Sequence, residues 1–336
     1  MKRAAQSIVS MVPAAGRVAL AFFWLALAAC SDPASAAAVP ADDVQAAREW
    51  DVIQTSTGRL VSMEQWLDEL AHQEVVYLGE EHHNRFHVEA ARKILDALLA
   101  RSRAPVIAME MFGWDGQAAL DRYLADRAWQ RAEFLEQSRW KENWGGPFED
   151  YEPLVAFARD HRLPVQALNP PRQLVRLVAR QGLTEAKADP GMVQWGMKDE
   201  PIVDDPVYRT TILKQLQLCH AGGTNSDYHT MYEASLFRDE GMAKTVNETM
   251  RRFQVEAGSR TGPVFSYTGG GHIQYQLPVP NRVARRRPDG VRQATVYMTS
   301  FQPERRNDIA ELVRDRIADY VWLTPVSAEG PPRRCR

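Results

Sequence analysis

The chain has 336 residues, of which 45% are hydrophobic and 25% charged, with a formal net charge of -2 at pH 7. This is a globular composition with enough apolar material for a sizeable core. The near-neutral balance gives no global field favouring nucleic acid, and the three cysteines, with no C-x-x-C pair among them, exclude a cysteine zinc site.

The N-terminus reads as a targeting segment. Lys2, Arg3 and Arg17 precede an apolar run over residues 18–29, shorter than the ~20 residues a membrane span needs and laid out as an export signal. Its end, Leu27-Ala28-Ala29-Cys30, resembles a bacterial lipobox, in which cleavage leaves Cys30 as the lipid-bearing N-terminal residue. A plain secretory signal cut near residues 36–38 is the alternative. The expected organisation is a signal over 1–30, an Ala/Pro-rich tether over 31–48, one domain over 49–326 and a disordered tail over 327–336. Cys219 and Cys335 are left to form one disulfide in an oxidising compartment, or none. The basic runs at 282–287 and near the C-terminus read as solvated surface.

Short apolar runs then alternate with amphipathic segments. A strand at 75–78 runs into Gly79, and a helix over 85–100 carries apolar Val88, Ala91, Leu95, Leu98 and Leu99 at helical spacing. Pro105 opens a strand at 106–109 that ends on Glu110. Helices are expected over 116–124, 130–137 and 151–161, and a strand at 165–168 ends on Asn169. Pro170-Pro171 start a helix that stops at Gly182. Residues 184–206, rich in Pro, Asp and Gly, read as a long loop or lid. Helices follow over 207–220 and 227–253, separated by Ala221-Gly222-Gly223. Strands at 263–268, 293–299 and 320–323, with a helix over 308–318, complete the chain. This alternation predicts an α/β fold with a mostly parallel central sheet flanked by helices, plus an added helical region.

Two strands end alike. Gly79-Glu80-Glu81-His82 and Gly269-Gly270-Gly271-His272 both read G-x-x-H. Ligands bind at the carboxyl ends of strands in open α/β sheets, so His82 and His272 are expected to converge, with Glu80, Glu110 and Asn169 at neighbouring strand ends. Imidazole and carboxylate together bind a transition metal, here His82, Glu110 and His272, or exchange protons with a substrate; helix capping is the alternative for Glu80 and Glu110. Glu110 lies among apolar residues, and its burial requires a partner. His83 and His87, four apart, share a helix face, but Asn84 stands where a zinc protease needs glutamate; they ligate haem iron or face solvent. The 140–146 segment concentrates Trp and Gly. Tyr228, Tyr232 and Arg238 lie on the long helix, where Arg238 clamps a ligand carboxylate, pairs with Glu110 or forms a surface salt bridge.

At residues 78–82, 108–112, 120–123, 140–144, 167–169, 236–243 and 269–272 the chain resembles the ChaN-like haem-binding lipoproteins, whose wider group takes in Tiki-type proteases and erythromycin-esterase-like proteins. The resemblance spans 75–296. It implies an α/β fold with haem at the surface, in some members within a homodimer. It also implies iron ligation by tyrosine aided by histidine, for which Tyr123, Tyr228 and Tyr232 are candidates by location. No C-x-x-C-H is present, so haem is expected non-covalently, as b-type. The wider group's polar set maps onto His82, His272, Glu110 and Arg238, which in Tiki-type members is thought to support metal-dependent peptide hydrolysis with an ion such as Zn or Mn. The esterase-like relatives suggest Glu80 as general base. The first reading is thus a lipid-anchored haem-binding protein of the bacterial cell envelope, acting in haem and iron uptake; the alternative is a metal-dependent hydrolase.

Overall fold

The side chains of the strand at 75–80 alternate between two buried clusters. Val76 and Leu78 belong to one, Val75 and Tyr77 to the other. A strand apolar on both faces has to lie between helical layers. The computed structural model shows that arrangement; it describes residues 41–330 apart from positions 221, 257 and 329. The signal peptide, Cys30, Cys335 and most of the expected tether and tail lie outside the described residues.

One sheet holds β1 (Val52–Gln54), β2 (Arg59–Leu60), β3 (Val75–Glu80), β4 (Ala104–Gly113), β5 (Val165–Asn169), β6 (Thr261–Gly269), β7 (Gln293–Ser300) and β8 (Tyr320–Thr324). Their order is β2-β1-β8-β7-β3-β6-β4-β5. The strands from β8 to β5 are parallel, and β1 is antiparallel to both its neighbours. The expected α/β fold is therefore present. The β1/β2 hairpin is an addition at one edge that no sequence period announced, because strands of 3 and 2 residues are too short to show one; the Met63–Ala71 helix, which buries Trp66, Leu70 and Ala71 at helical spacing, is a further addition.

Register places the two G-x-x-H turns side by side. In the parallel β3/β6 pair, Glu80 stands opposite Gly269. On the other side of β6, β4 pairs through Met109 with Tyr267. The β4/β5 register shifts between Met109 and Gly113, a stretch that includes Glu110.

The helices over Arg85–Ala100, Arg172–Gln181, Pro206–Cys219 and Asn225–Arg252 lie within a few residues of their expected bounds. The first is capped by Asn84, whose side chain accepts from the Phe86 N–H; Thr224 and Asp227 form a capping box on the last. Among the described residues no helix is long and apolar enough to cross a membrane.

Two expectations are corrected. The 184–206 segment is not an open lid. It contains a helix over Pro190–Gln194, buries Met192 and Met197, and is pinned by the Val203 N–H on Glu240 (3.2 Å) and by Glu200 on Arg286 (2.8 Å). Nor is the basic run simply solvated surface. Arg282 is 1% exposed within the Val279–Arg285 helix, and Glu240, fully buried on the long helix, pairs with Arg282 (3.3 Å), Arg285 (2.8 Å) and Arg286 (2.6 Å). A charge run reads as surface until a buried counter-charge from elsewhere in the chain is known. Cys219 is held in a disulfide.

Candidate functional site

Glu110 is the centre of the carboxyl rim of the sheet. Its side chain is 1% exposed, and a buried carboxylate needs every lone pair engaged. Arg238 reaches it from the long helix, and the Gly269 N–H donates to Oε2 at 2.5 Å. His272 Nε2 stands 3.5 Å from Oε1. Asn169, at the end of β5, donates to the Glu110 carbonyl (2.5 Å) and accepts from Arg238 Nε (2.9 Å). Burial works against the charge, but Arg238, His272 and His82 outweigh it and hold the carboxyl well below the usual range. Arg238 thus makes the ion pair with Glu110, one of its expected roles, and it also lines the cleft.

A carboxylate–imidazole pair flanks this centre on each side. Glu80 Oε1 bonds His82 Nδ1 at 2.7 Å and receives the Tyr151 hydroxyl at 2.9 Å; Tyr267 donates to Oε2 at 2.6 Å. Burial pushes the Glu80 carboxyl up, partly offset by His82 and the two tyrosines. On the other side Asp239 bonds His272 Nδ1 and the Tyr208 hydroxyl, each at 2.5 Å. Burial opposes a charge on either imidazole. For His82 the Glu80 bond and the field of Glu110 prevail and raise its pKa. For His272 the attraction of Glu110 and Asp239 prevails over burial and Arg238, raising it to about 9. His272 Nε2 lies against Glu110, and the His82 ring lies against Gly269, whose N–H is bonded to the same carboxylate, so the convergence expected from the paired motifs is realised. Glycine makes it possible: a Cβ on Gly269 would fall 2.8 Å from His82 Cε1 and 3.5 Å from Glu110 Oε2.

A cleft of about 450 Å³ opens over this rim. Trp144 meets the His82 ring edge-on at 4.9 Å, and His83 lies beside them with Nδ1 on Asp150 at 2.6 Å. The side chains of His82 and His83 are 42% and 41% exposed. His83 closes over Gly146, where a Cβ would fall 2.7 Å from its ring. Val175, Ala179, Arg172 and Arg176 of the Arg172–Gln181 helix line the cleft as well. Arg172, Arg176 and Arg180 are spaced one turn apart, an arrangement that costs an isolated helix about 0.2–0.5 kcal/mol per like-charge pair.

Several expected site residues lie elsewhere. His83 precedes the helix, with φ +66°, and does not share a face with His87. His87 is fully buried; the Glu81 N–H donates to its Nδ1 (2.9 Å), so its proton is on Nε2, facing Thr324 Oγ1 (2.9 Å). Burial, with a smaller push from His82, drops its pKa to about 3. It is a neutral structural group with no nitrogen to offer a ligand. Tyr123 stacks on Phe134 at 4.1 Å in the core, Tyr228 bonds the His220 carbonyl (2.7 Å), and Tyr232 bonds Asp204. None of the three lines the cleft. Glu80, fully buried, cannot touch a substrate and acts only through His82. Nor do His82, Glu110 and His272 form the expected metal triad. Among the described residues no three His, Cys, Asp or Glu side chains are grouped to hold a metal ion, and both oxygens of Glu110 already accept from protein donors. Asp239, Tyr151, Tyr208 and Tyr267 are the partners that sequence reasoning did not assign to the site.

The elevated His272 pKa has a consequence for stability. A proton held more tightly in the folded state stabilises it fully below the ordinary value of 6.5, and that contribution is lost as pH rises through about 9. Replacing Asp239 with Asn is expected to lower the His272 pKa and shrink the loss of stability across that window. Imidazole NMR titration with denaturant midpoints at pH 6 and 10 measures both; an unchanged His272 titration contradicts the assignment.

A model of the family described as haem-binding uptake, Tiki superfamily, ChaN matches residues 66–283. Among solved structures, ChaN of Campylobacter jejuni, described with cofacial haem binding, is similar with a TM-score of 0.61 at 17% identity, over 82% of this chain and 96% of that one. The erythromycin esterase EreC gives 0.41 at 15% identity, over 70% and 72%. The chloroplastic protein RETICULATA-RELATED 5 of Arabidopsis thaliana is 21% identical over 282 residues, 80% of this chain, although the chain spans only 36% of that protein's length. The family match runs from the helix before β3 to the helix after β6, and so takes in both glycine–histidine turns and everything between them: the chain belongs to the ChaN family of the Tiki superfamily.

Proposed function

We propose that the chain binds b-type haem non-covalently in this cleft, as a lipid-anchored protein of the bacterial cell envelope acting in haem uptake. The observation that carries the haem reading is the pair of half-exposed imidazoles beside Trp144, each with Nδ1 on a carboxylate. A carboxylate at Nδ1 fixes the tautomer and leaves Nε2 free and basic, the arrangement found around metal-bound histidines. Trp144, Val175 and Ala179 suit a flat apolar ring, and the arginines suit its acid groups. Haem would supply an iron that His82 or His83 would hold; the buried Tyr123, Tyr228 and Tyr232 are not offered to it. Cofacial haem binding in the Campylobacter jejuni relative supports extending this reading to a second copy of the chain closing over the haem.

The Glu80–His82 dyad favours a second reading, acid–base hydrolysis in the same cleft, with His82 as the exposed base positioned by Glu80 and Arg238 holding Glu110 in place.

Haemin titrated into the full chain is expected to give a saturable shift of the Soret band that the His82→Ala/His83→Ala double variant abolishes and Tyr232→Phe leaves intact. No saturable shift ends the haem reading. For the anchor, Cys30→Ala is expected to leave an unlipidated precursor outside the membrane fraction; unchanged membrane fractionation contradicts it. The hydrolase reading requires turnover of a chromogenic ester or peptide that His82→Gln removes, and fails if no turnover exceeds buffer.

A further inference from the structure

We propose that Arg172 and Arg176 form a carboxylate clamp at the rim of the cleft, holding the acid groups of the ligand while its flat apolar body lies between Val175 and Trp144. The inference rests on the haem reading and assigns the part of the ligand that imidazole ligation leaves open.

Local structure aims the first arginine. The helix starts directly after Pro171, with no side-chain cap and no acidic residue in its first turn. Helix N-termini favour negative charge there, and this one carries Arg172 instead. Its backbone N–H donates to Asn143 Oδ1 at 3.2 Å, and its Nη1 donates to the Trp144 carbonyl at 3.0 Å. The guanidinium is thus tethered to the segment that supplies the aromatic wall of the cleft. Arg176 follows one turn later on the same face, with Val175 lining the cleft beside it.

Charge balance supplies the second argument. Arg238 has Glu110 as its partner. Among the described residues neither Arg172 nor Arg176 has a carboxylate partner. Burial and the charges of Arg176 and Arg238 lower the pKa of Arg172. Like charges gathered without an acid are a cost the fold itself does not relieve, and a bound carboxylate would relieve it. Guanidinium forks hold carboxylates bidentately, and Cβ atoms one turn apart on a helix are about 5–6 Å from each other, a spacing that serves two acid groups on one edge of a ring. The ligand class is therefore a flat apolar dicarboxylate. A neutral ring of the same shape would leave both cations unpaired.

The test uses the full chain, haemin and haemin dimethyl ester, whose acid groups are masked. The Arg172→Gln/Arg176→Gln double variant is expected to bind haemin about tenfold more weakly or worse, with the Soret maximum of the complex unchanged because the imidazoles are intact. The wild-type chain is expected to bind the dimethyl ester about as weakly as the variant binds haemin. Wild-type affinity of the double variant for haemin, or equal wild-type affinity for haemin and its ester, overturns the clamp and leaves the haem reading standing. Absence of saturable haemin binding by the wild-type chain overturns both.

Discussion

The site is built around one buried negative charge. A carboxylate removed from water near the carboxyl end of β4, three residues before the strand stops, is tolerated only with donors on every side, since an uncompensated buried charge costs about 3–5 kcal/mol. Glu110 draws those donors from separate parts of the chain: Arg238 from the long helix, the Gly269 N–H from β6, and His272 from the turn that follows β6. Asn169 from β5 locks its backbone and its arginine together. The rest follows from this satisfaction. Because Gly269 must approach Glu110 with its N–H and has no Cβ, there is room for the His82 ring above it, and the two glycine–histidine turns become one site.

The two imidazoles then differ in kind, although their sequence settings match. His272 is 15% exposed, and its two nitrogens are engaged by Asp239 and Glu110. His82 is 42% exposed and is held on one nitrogen by a glutamate that is itself fixed by two tyrosines. The inner imidazole neutralises the centre. The outer one, with His83 beside it, presents a nitrogen to the cleft. A sequence motif repeated twice thus gives one buried imidazole and one that faces the cleft.

What the sequence disclosed is what periodicity encodes. A polar residue directly after an apolar strand marks a strand end, and that is why Glu80, Glu110, Asn169 and the two histidines were recognisable. The added hairpin at β1/β2 has no period to reveal it. Buried polar groups inside regular elements are hidden for a different reason. Asp239 sits on a helix whose apolar positions Phe237, Met242 and Val246 mark the buried stripe, and a buried aspartate next to them looks like a solvated one. Tyr267 and Tyr151 read as core aromatics, which they are; only the tertiary structure shows that both hydroxyls end on Glu80. His87 follows the helical period into the core and is deceptive in the opposite sense, because a histidine near other histidines suggests ligation whereas a backbone N–H and a threonine use up its nitrogens. The basic run at 282–287 is the same lesson with charge, since its counter-ion Glu240 lies some forty residues earlier in the chain.

These partnerships also bear on what the cleft is suited to do. A general base or a metal-binding carboxylate needs an oxygen open to the reacting group. Glu80 and Glu110 have none: each is saturated by protein donors, and each is buried. The groups left with unused capacity stand at the cleft wall and rim, namely the outer nitrogens of His82 and His83, the faces of Trp144, and the guanidinium groups of Arg172 and Arg176. Imidazole, indole and guanidinium are the groups that ligate, stack and pair. A cleft whose carboxylates serve as scaffold and whose free functions are those three is furnished for a flat anionic ligand, and any acid–base chemistry there would have to run through the outer imidazoles rather than the carboxylates.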